Sequence, residues 1–223
     1  MTVNIKIASE LKRVAPNLAL GVLTGSVEVR DSDPTLWAQV DARANELRAA
    51  ITLDQVYQLP QIEALRQTYR TIGKDPARFR GSQEALMRRV LRGQALYRIN
   101  TIVDINNLIS LTSLHAVGSY DTAKLRGSIV FRIGRDGEGY KGIGKDAVNI
   151  ARLPVLADDV GAFGSPTSDS ERAMILPSTH DITMIIVAFS GLDGLQRDLA
   201  SAVTLVKTYA KNDVEDLETF IVE

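Results

Sequence analysis

The chain contains no cysteine, and its 223 residues include only two histidines, His115 and His180. Without cysteine there is no disulfide framework, no thiolate metal site and no cysteine nucleophile. The two histidines are not at ligand spacing, and a zinc site made mostly of carboxylates is uncommon. We therefore expect neither a metal nor a cofactor.

Long hydrophobic runs are missing as well. The longest, Ile182–Phe189, includes Thr183 and is much shorter than the roughly 20 residues that a membrane-spanning helix needs. Met1–Ile7 alternates polar and apolar residues and is interrupted by Lys6, which is unlike a secretory signal. These features predict a soluble, cytoplasmic protein with no membrane partner.

Charge is balanced over the whole chain but not along it. The net charge is −1, from 26 basic and 27 acidic residues. Between Arg66 and Arg98, nine basic residues stand against two acidic ones, so this segment carries +7 and the remainder −8. Such a segment can attract a polyanion, or it can be a solvated helix surface whose counter-charges come from elsewhere in the fold. Charge alone leaves both interpretations open.

Hydrophobic spacing predicts helices mainly in the first half of the chain and strands mainly in the second. Asp33 followed by Pro34 is typical of a helix start. The predicted helices are Ser9 to Pro16, Asp33 to Ala50, Pro60–Ile72, Ser82 (as N-cap) to Gly93, Thr101–Ser113 and Leu192–Lys211. The predicted strands are Val3–Ala8, Leu18–Val29, Ser128–Ile133, Val155–Ala157 and Ile182–Phe189. This segregation favours an α+β fold.

Glycines around residue 140 resemble phosphate-binding motifs. Gly137–Gly142 matches G-x-G-x-x-G, and Gly139–Lys145 matches the first seven positions of G-x-x-x-x-G-K-[ST]. Asp146 stands where a hydroxyl should hold magnesium, and no long amphipathic helix follows. We therefore interpret the segment as a glycine-rich hairpin.

Serines next to an acid also invite comparison with a nucleophilic triad. Ser165, Ser168 and Ser170 lie close to Asp169, with His180 further along the chain, but there is no G-x-S-x-G elbow. The interpretation that we favour is a turn whose hydroxyls satisfy nearby backbone groups.

Three spaced stretches carry a resemblance to a known family. They are Val103-Asp104-Ile105-Asn106-Asn107, then Tyr120-Asp121, and then Leu125-Arg126-Gly127 with Ile129, Arg132 and Gly137-Glu138. Together they resemble the B3/B4 domain of the phenylalanyl-tRNA synthetase beta chain, in its free-standing form, and Arg132 and Glu138 are expected to pair. A weaker likeness at Ala157–Gly164 extends the match to about residues 60–190. We expect one domain over residues 1–223, with residues 1–59 integral to it.

The resemblance implies a fold and a function. The fold is a B3/B4-like domain with a layered β core in the C-terminal half, packed by helices mainly from the N-terminal half and one long C-terminal helix. In the synthetase this domain hydrolyses the ester of tRNA charged with the wrong amino acid, chiefly tyrosine. The resemblance therefore implies a tRNA-binding protein that accepts the charged 3′ end and hydrolyses mischarged tRNA in trans. The alternatives left open are a non-catalytic module that binds tRNA or an amino acid, and a small-molecule binder that no longer meets RNA.

Two editing-site residues of the family are absent, since Gly118 stands in place of the histidine and the family's glutamate is missing near Pro177. As their catalytic replacements we expect Asp169, Ser168, Thr167 and Asp159. The resemblance implies a substrate pocket of Asn107, Tyr120, Asp121, Val160, Gly161, Ala162, Phe163, Gly164 and Ser165. Backbone N–H groups at Gly161–Ser165 are candidate oxyanion donors. The expected contacts to RNA phosphates are Arg78, Arg80, Arg88 and Arg89.

Overall fold

The structure, a computed structural model, describes residues 3–210 and 217–223. Its helices are α1 (Ser9–Val14), α2 (Pro34–Ala50), α3 (Pro60–Thr71), α4 (Ser82–Leu91), α5 (Thr101–Ser113) and α6 (Leu195–Tyr209). Its strands are β1 (Ile5–Ile7), β2 (Ala19–Ser26), β3 (Ala116–Asp121), β4 (Ile129–Ile133), β5 (Gly139–Lys141), β6 (Ala147–Asn149), β7 (Pro154–Ala157), β8 (Ala162–Gly164), β9 (Asp181–Ala188) and β10 (Glu218–Val222).

Two four-stranded sheets organise these elements. The central sheet has the order β10-β2-β9-β3 and is antiparallel throughout. The second sheet has the order β1-β4-β7-β8, in which only the β1-β4 pair is parallel. The glycine-rich segment forms the hairpin β5-β6, which confirms the predicted hairpin.

Strand β9 shows why the fold has three layers. Ile182, Met184 and Ile186 point into a core shared with α2, α4, α5 and α6. Ile185 and Val187 point the other way, into a core shared with the second sheet, α1 and α3. Successive side chains of a strand face opposite sides, so one strand of apolar residues joins two cores. The helices, the central sheet and the second sheet are the three layers, and the α+β class is confirmed.

The helix starts follow local hydrogen bonding. Asp33 caps α2 as predicted, since its carboxylate accepts from the backbone N–H groups of Thr35 and Leu36. The predicted cap at Ser82 is wrong, because Ser82 is already the first helical residue and Gly81 precedes it. Asn100 caps α5 through its side chain.

Helix α6 packs directly on the central sheet. A Cβ added to Gly21 in β2 would lie 2.9 Å from Leu195 Cδ1, so the absent side chain allows this close approach. The helix begins at Leu195, three residues after the predicted start. The predicted end at Lys211 lies outside the described residues. Within residues 3–210 and 217–223, no helix is long and apolar enough to cross a membrane.

Candidate active site and adjoining basic groove

The loop Ser165–Asp169 follows β8 and is shaped by the hydroxyl of Ser165. That hydroxyl accepts from the N–H groups of Thr167 and Ser168 and donates to the Ser168 carbonyl at 2.9 Å. The N–H of Ser82, at the start of α4, donates to the Pro166 carbonyl at 2.7 Å. The serine therefore builds a turn, as the sequence analysis favoured, and the turn is fastened to a helix.

Tyrosines from two distant elements hold the same loop. The hydroxyl of Tyr69, in α3, shares a 2.7 Å hydrogen bond with the hydroxyl of Thr167. The hydroxyl of Tyr140, in β5, donates to the Ser168 carbonyl. Burial raises the pKa of both tyrosines, so their hydroxyls remain protonated at physiological pH. The loop is fixed by elements that are far apart in sequence.

A third tyrosine holds the acid of the loop. Asp169 Oδ1 accepts from the Tyr120 hydroxyl at 2.9 Å and from the Ser165 N–H at 3.1 Å. Burial raises the pKa of Asp169 to about 6, and the two hydrogen bonds offset only part of that rise. A carboxylate whose pKa lies near neutrality can take and return a proton under physiological conditions. This is the property that the predicted catalytic role of Asp169 requires.

Two glycines leave the room that the Tyr120 hydroxyl needs. A Cβ added to Gly118 would lie 2.5 Å from that oxygen, and one added to Gly164 would lie closer still. The Tyr120 ring also packs edge-on against Phe163, with ring centroids 4.8 Å apart. A side chain at position 118, where the resembling family has histidine, is therefore incompatible with the bond between Tyr120 and Asp169.

A small cavity of about 60 Å³ lies beside this hydrogen bond. One side is polar and consists of the loop Ser165–Asp169 with Ser82. The other side is mainly apolar and is formed by Ala116, Val117, Gly118, Tyr120, Phe131, Leu156 and Val187. A polar rim over an apolar wall is the usual arrangement of a small-molecule pocket.

An open groove of about 510 Å³ adjoins the cavity. Three residues, Ser82, Val117 and Thr167, line both. The groove runs along α4 and α5 and contains four arginines together with polar side chains, namely Arg80, Arg88, Arg89, Arg92, Gln94, Asn106, Asn107 and Ser110. The cavity therefore opens towards a strongly basic surface.

Glu84 organises part of that surface. Its carboxylate is 1% exposed and lies 3.0 Å from Arg66 Nη1, 2.8 Å from Arg88 Nε and 3.7 Å from Arg80 Nε. Three guanidinium groups around one carboxylate leave a net charge of +2. The basic segment is therefore only partly neutralised within the fold.

Arg89 forms a second feature of the groove. Its Nε donates to the Ala95 carbonyl at 2.6 Å, and its guanidinium lies 4.4 Å from the ring centroid of Tyr97. Tyr97 is 68% exposed. An exposed aromatic ring beside an arginine is typical of surfaces that bind unpaired nucleotides.

Several predicted site residues lie elsewhere. Asp159, Val160 and Gly161 line a separate surface depression. Asp121 is buried and accepts from the Thr179 hydroxyl at 3.1 Å, so it ties loops together. Arg78 lies beside the ring of Phe79 and does not line the groove.

The remaining predicted pocket residues divide between core and groove. Ala162, Phe163 and Gly164 form β8, in which Phe163 is fully buried behind Tyr120. Asn107 lines the groove and not the cavity. The Ser165 N–H is already donated to Asp169, so it is not a free oxyanion donor. The predicted pair of Arg132 and Glu138 is confirmed, with Nη2 and Oε1 2.6 Å apart.

Arg92 and Asn106, which line the groove, and Tyr97, which lies beside Arg89, were not predicted as site residues. Arg92 follows Arg88 by four residues, a spacing that places both on one side of a helix, so the pattern could have revealed it. Tyr97 lies in an irregular segment between α4 and α5, where no periodicity indicates its position. In the described part of the chain, no group of three or more potential metal ligands occurs.

Comparison with known proteins shows the family to which the chain belongs. No curated protein matches the chain. A solved structure, an N-terminal fragment of the phenylalanyl-tRNA synthetase beta-subunit from Pyrococcus horikoshii, aligns with a TM-score of 0.45 and 14% identity. The alignment covers 100% of this chain and 51% of that one, so the chain spans about half the length of this relative. The family model described as the B3/4 domain matches residues 64–206, and the chain belongs to this family.

Proposed function

We propose that this protein binds the charged 3′ end of tRNA and hydrolyses its aminoacyl ester in trans. The observation that carries the proposal is the junction between the cavity beside Asp169 and the arginine-lined groove. A charged 3′ end has the matching parts, since an amino acid is attached to a chain of phosphates. The cavity would take the amino acid and the groove the RNA.

The groove supports binding of single-stranded phosphates. Arg80, Arg89 and Arg92 line it and are the best candidates for phosphate contacts. Arg88 differs from Arg89 and Arg92, because its 2.8 Å contact with buried Glu84 gives it a structural role as well. Arg80 lies further from that carboxylate, at 3.7 Å. The exposed ring of Tyr97 beside Arg89 offers a surface on which a base can stack.

Asp169 is the proposed general base. It takes a proton from a water molecule whose oxygen attacks the ester carbonyl. The bond between the carbonyl carbon and the ribose oxygen then breaks, and the released ribose oxygen receives the proton from Asp169 and becomes a hydroxyl. The products are the free amino acid and uncharged tRNA. Ser82 and Thr167, at the junction of cavity and groove, are the nearest candidates to stabilise the developing oxyanion.

A second candidate function is a non-catalytic module that binds charged tRNA or an amino acid. It is favoured by the hydrogen bonds of the loop, because the Ser165 N–H and hydroxyl are already used within it. A pocket whose donors are satisfied internally can bind a substrate without stabilising its oxyanion.

The test is a panel of mischarged tRNAs incubated with the intact protein, Asp169→Asn and Asp159→Asn. Hydrolysis by the intact protein and Asp159→Asn, with loss in Asp169→Asn, is the expected result. Binding of charged tRNA without ester loss would support the non-catalytic module. Absence of both binding and hydrolysis would overturn both functions.

The groove is tested separately by replacing Arg80, Arg89 and Arg92 with Glu. A matched control replaces three exposed basic residues outside the groove, Arg13, Arg152 and Lys207, with Glu. Both variants change the net charge equally. If the groove arginines contact phosphates, the groove variant should bind tRNA more weakly than the control variant, and its binding should depend less on salt. Equal affinities of the two variants would place the RNA surface elsewhere.

A further inference from the structure

We propose that the cavity selects small aminoacyl groups, such as glycyl, alanyl and seryl, and excludes aromatic ones. This inference rests on the proposed function and names its substrate class. The starting observation is the size of the cavity, about 60 Å³. A cavity that holds benzene measures roughly 150 Å³. The space therefore suits a side chain of one or two heavy atoms.

The cavity cannot widen easily, because its walls belong to the core. Phe131 and Leu156 line it and are almost fully buried in the layer between the two sheets. Protein interiors are packed as densely as organic crystals, so moving such side chains disturbs their neighbours. An aromatic substrate would have to displace residues that hold the sheets together.

Tyr120 also lines the cavity, and several contacts hold its side chain in place. Its hydroxyl is bonded to Asp169, and its ring packs edge-on against Phe163. The ring is 3% exposed. Rotating it out would break the bond to the proposed base, so a large substrate would disable the chemistry that it needs.

The chemistry of the walls agrees with this size limit. Ala116, Val117 and Val187 present apolar surface suited to a hydrogen atom or a methyl group. The hydroxyls of Ser82, Thr167 and Ser168, which line the cavity, offer partners to a seryl hydroxyl. A single additional methylene in an apolar pocket changes discrimination by about 10- to 200-fold, so a pocket of this size can discriminate strongly.

The test uses short RNA hairpins that end in a non-hydrolysable 3′-aminoacyl amide, carrying glycine, alanine, serine, valine, phenylalanine or tyrosine. The intact protein should bind the three small conjugates at least about tenfold more tightly than the aromatic ones. Val187→Ala removes two methyl groups from the wall and should tighten binding of the valyl conjugate about fivefold or more. Thermal unfolding of the variant establishes that it is folded.

Each outcome decides between the claims. Equal binding of tyrosyl and glycyl conjugates would overturn the size limit and leave the proposed function standing. Failure to bind any conjugate, glycyl included, would overturn the proposed function together with the size limit. A folded Val187→Ala protein with unchanged valyl affinity would show that the side chain is bound outside this cavity.

Discussion

Two turns at the two ends of β8 each present a carboxylate, and the two carboxylates have different hydrogen-bonding partners. Before the strand, Asp158 receives a bidentate ion pair from Arg172, with atoms 2.8 and 3.1 Å apart. After the strand, Asp169 receives hydrogen bonds from Tyr120 and Ser165, which are neutral donors. Burial acts against the ionised form of both acids.

The outcome for the two pKa values is opposite. Burial alone would raise the pKa of Asp158, but Arg172 and the backbone N–H of Arg126 outweigh it and lower that pKa. The neutral donors do not outweigh burial at Asp169, whose pKa rises to about 6. The difference therefore follows from the cation: Asp158, paired with Arg172, has a lowered pKa, whereas Asp169, hydrogen-bonded to neutral donors, has a pKa at which it can transfer protons.

The largest expected effect comes from breaking the ion pair with Arg172→Ala. Asp158 would keep its buried position without a cation, and losing one partner of a buried pair costs about 3–5 kcal/mol of unfolding free energy. In the intact protein the lowered pKa of Asp158 adds to the free energy of unfolding, and this contribution is lost as the pH falls. The unfolding free energy of the variant should lack this decrease at acid pH. Urea unfolding at several pH values measures both effects, and a change below about 1 kcal/mol would contradict the account.

The next effect concerns the space around Tyr120. Gly164→Ala places a Cβ against the Tyr120 hydroxyl and close to Asp169. Overpacking of this kind costs about 1–3 kcal/mol, and it should also reduce hydrolysis because the bond between tyrosine and acid is displaced. Gly137→Ala is the control, since an added Cβ there meets nothing within 4 Å, although its φ of +74° adds backbone strain. Equal loss of hydrolysis in both variants would argue against a specific role for the space at Gly164.

An effect of similar size tests the titration of Asp169. Its folded pKa of about 6 lies above the ordinary value of 3.8, so its contribution favours the folded state at low pH and is lost as the pH rises from about 4 to 6. Asp169→Asn cannot titrate, so between pH 4 and pH 7 its stability relative to the intact protein should rise by about 1–3 kcal/mol. His115, whose pKa burial lowers to about 4, acts with the opposite sign but equally in both proteins. An identical pH dependence in both would contradict the prediction.

The smallest effect is expected at Asp159, which is exposed and outside the cavity. Asp159→Asn should change the unfolding free energy by less than about 0.5 kcal/mol, because surface substitutions seldom do more. Its hydrolysis rate should equal that of the intact protein at every pH. Loss of hydrolysis in this variant would reverse the roles of the two turns.

Much of the fold could be predicted from local signals. The Asp33-Pro34 start and the bounds of α5 follow from capping chemistry and helical spacing, and both are confirmed. Strand β3 was missed, because Gly118 and Ser119 interrupt any apolar alternation there. Its strand conformation comes from pairing with β9, which is a non-local interaction.

The site was harder to predict than the fold. Asp159 and Asp169 are close in sequence, and only the intervening strand shows that they face different depressions. The elevated pKa of Asp169 depends on its burial in the folded chain, which short-range patterns do not contain. The arginine segment was recognised from charge alone. Arg78 was predicted to contact RNA but lies beside Phe79, whereas Arg92 was not predicted and lines the groove.

The buried carboxylate of Glu84 has a consequence for ligand binding. By holding the guanidinium groups of Arg66, Arg80 and Arg88, it restricts their rotamers while the chain folds. Immobilising a long side chain on binding usually costs about 0.5–1.5 kcal/mol, and here part of that entropy is already lost in the free protein. The groove is preorganised, so an arriving anion meets donors whose geometry is set in advance.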